Sequence, residues 1–227
     1  DSVSNKAKII AGTGTYSTSE SIEITKMADS LGVDGIMIVT PYYSKPSQHG
    51  ILRHFEEISK ITDLPIMAYN IPGRTSTLIE LETLQTLVDD IGIHSIKDAV
   101  GDFEFSKKQL ELLKDKVDIY SGNDNQTYDF VINGGVGVVS VASHVVGDEI
   151  SEMISFAKDN DLEKAEEINM QLSNLFEAIF EEPSPGPIKK ILSESWEEVG
   201  EPLLPITSIT PELANKIRGF YKKIKEN

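Results

Sequence analysis

Lys97 lies in the run Ile93-His94-Ser95-Ile96-Lys97-Asp98, whose composition reads as a short strand entering a buried interior. An ammonium in such a place is either paired or used. A desolvated lysine loses part of its preference for the charged form, and the neutral amine is a nucleophile that forms a Schiff base with a carbonyl substrate. An ion pair with Asp98, or a side chain that snorkels outward, is the competing reading of the same run. Three phenols, Tyr42, Tyr43 and Tyr69, can relay protons, and the guanidinium of Arg74 suits a bidentate grip on a carboxylate. An amine, a proton relay and a carboxylate clamp together describe a keto-acid site. Taken singly, Tyr69 also reads as an interior aromatic with a satisfied hydroxyl and Arg74 as a loop-ordering ion pair. His49, His54, His94 and His144 show no metal-ligand spacing and are read as structural or surface residues, so no metal is expected.

The elements that must position these groups recur as a unit: a short apolar or β-branched run, a turn, then a helical period. Strands are expected at residues 8–11, 35–40, 65–70, 93–98, 117–121 and 137–142, spaced as strand, helix and two loops require. Ser17-Thr18-Ser19-Glu20 reads as a capping box before Ile22, Ile24, Met27, Ala28 and Leu31, and a second helix is expected over residues 50–61. From about Asp148 the pattern turns helical, with segments at 150–157, 162–181, 187–192 and 211–224 and the rigid turn Pro183-Ser184-Pro185-Gly186-Pro187 among them. The expected fold is therefore α/β: a (β/α)8 barrel represented by about six βα units over residues 1–157, followed by a helical appendage over 158–227. Six units are two short of a closed barrel. The chain opens on a strand with a first residue other than methionine, and is read as lacking the two front units. In a barrel the loops after the strands gather on one face. The unusual residues all fall there: Gly12-Thr13-Gly14-Thr15, Pro41-Tyr42-Tyr43, Ile71-Pro72-Gly73-Arg74, Lys97-Asp98, Ser121-Gly122-Asn123-Asp124 and Gly134-Gly135.

Composition sets outer limits. The 227 residues, 39% hydrophobic and 26% charged, suffice for a sizeable core. No cysteine is present, which excludes disulfides, thiolate nucleophiles and cysteine-ligated metals and fits a reducing compartment. A net charge of −16 opposes binding to nucleic acid or an anionic membrane, so an anionic substrate needs local cations. With no apolar run long enough to span a bilayer and no signal-peptide pattern at the start, a cytoplasmic protein is expected.

Four motifs in order, Pro41-Tyr42-Tyr43-x-x-Pro46, Tyr69-Asn70-Ile71-Pro72-Gly73-Arg74-Thr75, Ile96-Lys97-Asp98 and Ser121-Gly122-Asn123-Asp124, closely resemble the dihydrodipicolinate synthase family of Schiff-base aldolases. The resemblance runs from about Lys8 to the C-terminus and includes Gly134-Gly135-x-Gly137-Val138-Val139-Ser140 and Glu182-Pro183-Ser184-Pro185-Gly186-Pro187-Ile188-Lys189. It implies that Lys97 condenses with pyruvate, that the enamine attacks L-aspartate-4-semialdehyde, and that the product cyclises, with no cofactor. By position Tyr69 matches the tyrosine that relays protons, and Arg74 the arginine that receives the semialdehyde carboxylate. Tyr43 matches the tyrosine given to a neighbouring subunit's relay, and Val139 the residue whose carbonyl faces the lysine. A homo-oligomer, in the family a pair of tight dimers, is implied.

Departures from the family pattern carry expectations of their own. The threonine motif of the front units is absent, so the chain as given is expected to lack full activity. Tyr16 stands where lysine-inhibited members carry an asparagine, with Glu20 at the accompanying acidic position, which points away from lysine inhibition. His144 replaces a common asparagine without an evident reason. A lyase for sialic or other sugar keto acids is the nearest alternative, and Arg74 followed by Thr75 argues for the synthase. A non-catalytic remnant and an acidic scaffold unrelated to catalysis are the alternatives outside enzymology.

Overall fold

The structure is a computed structural model that describes residues 6–226. In chain order it runs β1 (Ile10–Gly12), α1 (Thr18–Ser30), β2 (Gly35–Val39), α2 (Gln48–Ser59), β3 (Ile66–Asn70), α3 (Pro72–Thr75), α4 (Leu81–Thr86, continued by a π turn at Leu87–Ile91), β4 (Ser95–Asp98), α5 (Phe103–Leu112), β5 (Asp118–Ser121), α6 (Thr127–Ile132), β6 (Gly137–Val138), α7 (Ser143–Lys158), α8 (Leu162–Ala178), α9 (Gly186–Ser195) and α10 (Pro211–Lys225). The alternation of six strands with helices, followed by helices alone, is the α/β pattern of a partial (β/α) barrel with a helical C-terminal part. All six expected strands form. Among the described residues no helix is long and apolar enough to cross a membrane.

By contacts the chain divides into two compact units, one reaching to Gly122 and including Asn133–Val136, the other made of Asn123–Ile132 and the residues from Gly137 onward. In the first unit β1 to β5 pair in chain order and are all parallel. Parallel pairing requires a crossover between successive strands, which the intervening helices provide. One face of this sheet carries Ile36, Ile38, Ile66, Ala68, Ile96 and Ile119, every one of them buried. The other carries Met37, Val39, Tyr69, Ser95, Lys97 and Tyr120, all half-buried. Strand alternation thus separates a helix-covered core face from the face that bears the lysine.

Capping residues fix where helices begin. Ser17 accepts from the Glu20 amide and Asp102 from the amides of Glu104 and Phe105. Ser47 accepts from the Gly50 amide, so α2 starts two residues before the expected Gly50. The periodicity of α1 misleads about its buried side. Ser21, Thr25 and Ala28 are the residues it buries, while Met27 and Leu31 are 62% and 76% exposed. The inward side is polar because Ser21 Oγ accepts from the Thr15 amide at 2.8 Å and Thr25 donates to Thr13 Oγ1 at 3.0 Å, tying the helix to the loop after β1.

In the second unit α7 to α10 share a core of Val146, Ile150, Leu172, Leu175, Phe176, Ile188, Ile191, Leu213 and Ile217. Strand β6 has two residues instead of the expected six. The amides of Val141 and Ala142 donate to Asp124 Oδ2 at 3.1 and 3.2 Å, so these backbone groups are satisfied by a carboxylate rather than by a ladder. The boundary expected after residue 157 lies within the last turn of α7, which ends at Lys158, and so inside this second unit.

Candidate active site

Adjacent parallel strands place Tyr69, Lys97 and Tyr120 in register across β3, β4 and β5, hence on one face of the sheet. The Lys97 Nζ stands over the Tyr69 ring, 4.1 Å from its centroid. That is within the range where an aromatic face stabilises a cation. The Tyr69 hydroxyl is pushed up from the ordinary phenol range chiefly by burial, a tendency that the nearby Arg74 charge partly offsets. It is therefore a phenol that stays protonated at neutral pH and is available as a proton donor. Asp98 lies on the opposite, helix-covered face. Its Oδ1 accepts from the Val100 amide and its Oδ2 from Ser106 Oγ, both at 2.9 Å. Burial raises this carboxyl from 3.8 to about 6.

Beyond β3 the chain makes the short helical turn α3, which brings Arg74 to the mouth of a cavity of about 390 Å³ lined by Gly12, Met37, Tyr42, Tyr69, Arg74 and Thr75 among others. Arg74 itself is exposed, free to meet a ligand entering from solvent. Asn70 holds the loop in place. Its amide donates to the Ile79 carbonyl and its carbonyl accepts from the Ile79 amide, both at 3.0 Å. Thr75 Oγ1 adds a bond to Ile71 O at 3.1 Å. Tyr42 meets Tyr16 edge to face, with centroids 5.9 Å apart.

Tyr69, Lys97 and Arg74 are thus gathered at the C-terminal ends of strands in the first unit, where a barrel keeps its chemistry. Tyr43 is placed differently. It is 91% exposed and has a φ of 68°, a left-handed conformation that costs a tyrosine energy. Val139 follows β6 in the second unit, next to Ser140, whose hydroxyl donates to Asp124 Oδ1.

A profile of the dihydrodipicolinate synthetase family matches residues 1–224. The chain belongs to this family. A 4-hydroxy-tetrahydrodipicolinate synthase of Microcystis aeruginosa is 46% identical over 223 residues, covering 98% of this chain and 75% of that protein. Among solved structures, the 4-hydroxy-tetrahydrodipicolinate synthase of Methylacidiphilum fumariolicum superposes with a TM-score of 0.95 at 36% identity, over 99% of this chain and 75% of that one. The chloride-inhibited dihydrodipicolinate synthase of Acinetobacter baumannii, complexed with pyruvate, superposes with a TM-score of 0.94 at 34% identity, over 98% and 77%.

Sequence reasoning did not reach three local arrangements among these residues. Tyr120 shares the register row of Lys97, but strand register cannot be read from an isolated strand pattern. Asn70 was visible inside a motif, yet its partner Ile79 lies nine residues on across a loop. Asp124 was visible too, and its partners 140–142 lie beyond a helix and a strand.

Proposed function

We propose that the chain acts through a Schiff base at Lys97 in the aldol-type condensation of pyruvate with L-aspartate-4-semialdehyde, giving 4-hydroxy-tetrahydrodipicolinate for lysine and diaminopimelate synthesis. The observation that carries the reading is the Lys97 amine 4.1 Å over the Tyr69 ring at the end of β4. The Lys97 amine adds to the pyruvate keto carbon and water leaves, forming an imine. Loss of a methyl proton then gives an enamine, whose carbon attacks the aldehyde of the second substrate. Tyr69, protonated and close to the amine, supplies and recovers protons through these steps. The amino group of the semialdehyde portion finally closes the ring and displaces Lys97.

Arg74 supports a carboxylate-bearing aldehyde over a polyhydroxylated one, because a guanidinium at the cavity mouth matches a carboxylate in two parallel hydrogen bonds. We further assign Tyr43 to a neighbouring subunit of a homo-oligomer, built as a pair of dimers. Its exposure and left-handed backbone are the cost of presenting a phenol outward. By its match to the family Val139 is assigned to substrate binding, residues 1–157 to the catalytic part and 158–227 to the helical part, and the protein to the cytoplasm.

Arg74→Ala tests the substrate assignment. With the charge-assisted bonds gone, the KM for L-aspartate-4-semialdehyde should rise by about 10- to 100-fold. The rate at which pyruvate is trapped by borohydride should stay within about twofold. An unchanged KM for the semialdehyde would remove Arg74 from the site.

A further inference from the structure

Gly122 follows β5 directly, and nothing about its backbone demands glycine, since its φ lies outside the left-handed region. What demands it is space. A Cβ at this position would stand 2.7 Å from Ala99 Cβ, 3.0 Å from Asp98 O and 3.1 Å from Lys97 Cε. Ordinary contact begins near 3.4 Å. The strand ends cannot part to make room, because the Gly122 amide donates to Asp98 O at 2.5 Å and the Ala99 amide to Asn70 O at 2.9 Å. Neither obstructing neighbour at Asp98 or Ala99 is the far end of a flexible side chain. The lysine stem therefore passes between the bare Cα of Gly122 on one side and the Tyr69 ring on the other.

We infer that Gly122 is a positioning residue for the imine-forming lysine: its missing side chain leaves the slot that holds Lys97 Cε and aims Nζ over Tyr69. This rests on the reading of Lys97 as the Schiff-base residue. A methyl added at 122 pushes on the final atoms of the lysine stem and on the end of β4 that carries it. A displacement of roughly 1 Å at a reacting group is enough to cost about 100-fold in rate.

The test is the rate of pyruvate imine formation at saturating pyruvate, read by borohydride trapping and mass, in the parent chain, in Gly122→Ala and in Gly122→Ala combined with Ala99→Gly. Thermal unfolding is measured alongside. The parent should trap pyruvate at Lys97. Gly122→Ala should trap at least tenfold more slowly while remaining folded. The double variant removes the 2.7 Å clash with Ala99 but keeps the methyl beside Lys97 Cε. It should regain thermal stability and stay slow. A normal rate in Gly122→Ala, a full return of rate in the double variant, or failure of both variants to fold would each overturn the inference, the last two by making Gly122 a residue of the fold alone. No adduct in the parent would instead overturn the Lys97 reading beneath it.

Discussion

Asp98→Asn should change how stability depends on pH, with a size that follows from the burial of this one carboxyl. In the folded chain it titrates at about 6 against an ordinary value of 3.8. A folded-state pKa raised above the unfolded value means that the folded chain binds the proton more tightly. The stabilisation is complete below pH 3.8 and is lost as pH rises through 6. Linkage over these two values gives a gain of roughly 2 kcal/mol on going from pH 7 to pH 4. Asparagine preserves the shape. Its carbonyl can accept from the Val100 amide as Oδ1 does, and its amide can donate to Ser106 Oγ in place of the present Ser106 donation. Urea unfolding of parent and variant at pH 7, 5.5 and 4 gives the stability difference at each pH, so any constant cost of the substitution cancels. The parent should gain on the variant by about 2 kcal/mol between pH 7 and pH 4. A difference that stays constant within about 0.5 kcal/mol would refute the argument that desolvation governs this carboxyl.

Two further substitutions address buried groups outside the site. His54 is buried, its Nδ1 pairs with Thr18 Oγ1 at 2.9 Å, its Nε2 has no partner, and burial lowers its pKa from 6.5 to about 4. A depressed folded pKa in a base means stability that is present above 6.5 and falls away toward 4, so His54→Gln should remove an acid-side loss of about 3 kcal/mol, read by the same urea series. Gln109 is fully buried with neither amide atom paired, and Gln109→Leu should raise stability by about 1 kcal/mol, or a few degrees in thermal unfolding; a lower midpoint would show that the amide is satisfied.

Much of the fold was legible because strand and helix signals are local. The six strands stand where apolar runs end in turn residues, and Ser17 caps α1 as its spacing with Glu20 suggests. The gathering of Tyr69, Lys97 and Arg74 was legible for a different reason: in a parallel α/β fold every strand delivers its last residues to the same end. What stayed hidden depends on pairing at long range. The polar buried side of α1 follows from Thr15 and Thr13 lying across from it, and hydrophobic periodicity cannot show that. Beyond the short β6, the amides of Val141 and Ala142 are taken up by the Asp124 carboxylate, a partner too far along the chain for a local strand pattern to show. The space requirement at Gly122 follows from how close β4 and β5 come, a matter of register.

The most direct test of the central claim is intact mass after incubation with pyruvate and borohydride, followed by peptide mapping. Reduction fixes the imine as a stable secondary amine. A single pyruvyl adduct on the peptide containing Lys97, absent from Lys97→Ala, is the predicted result. An adduct on another lysine, or none with the fold intact, would contradict the assignment of Lys97 as the nucleophile.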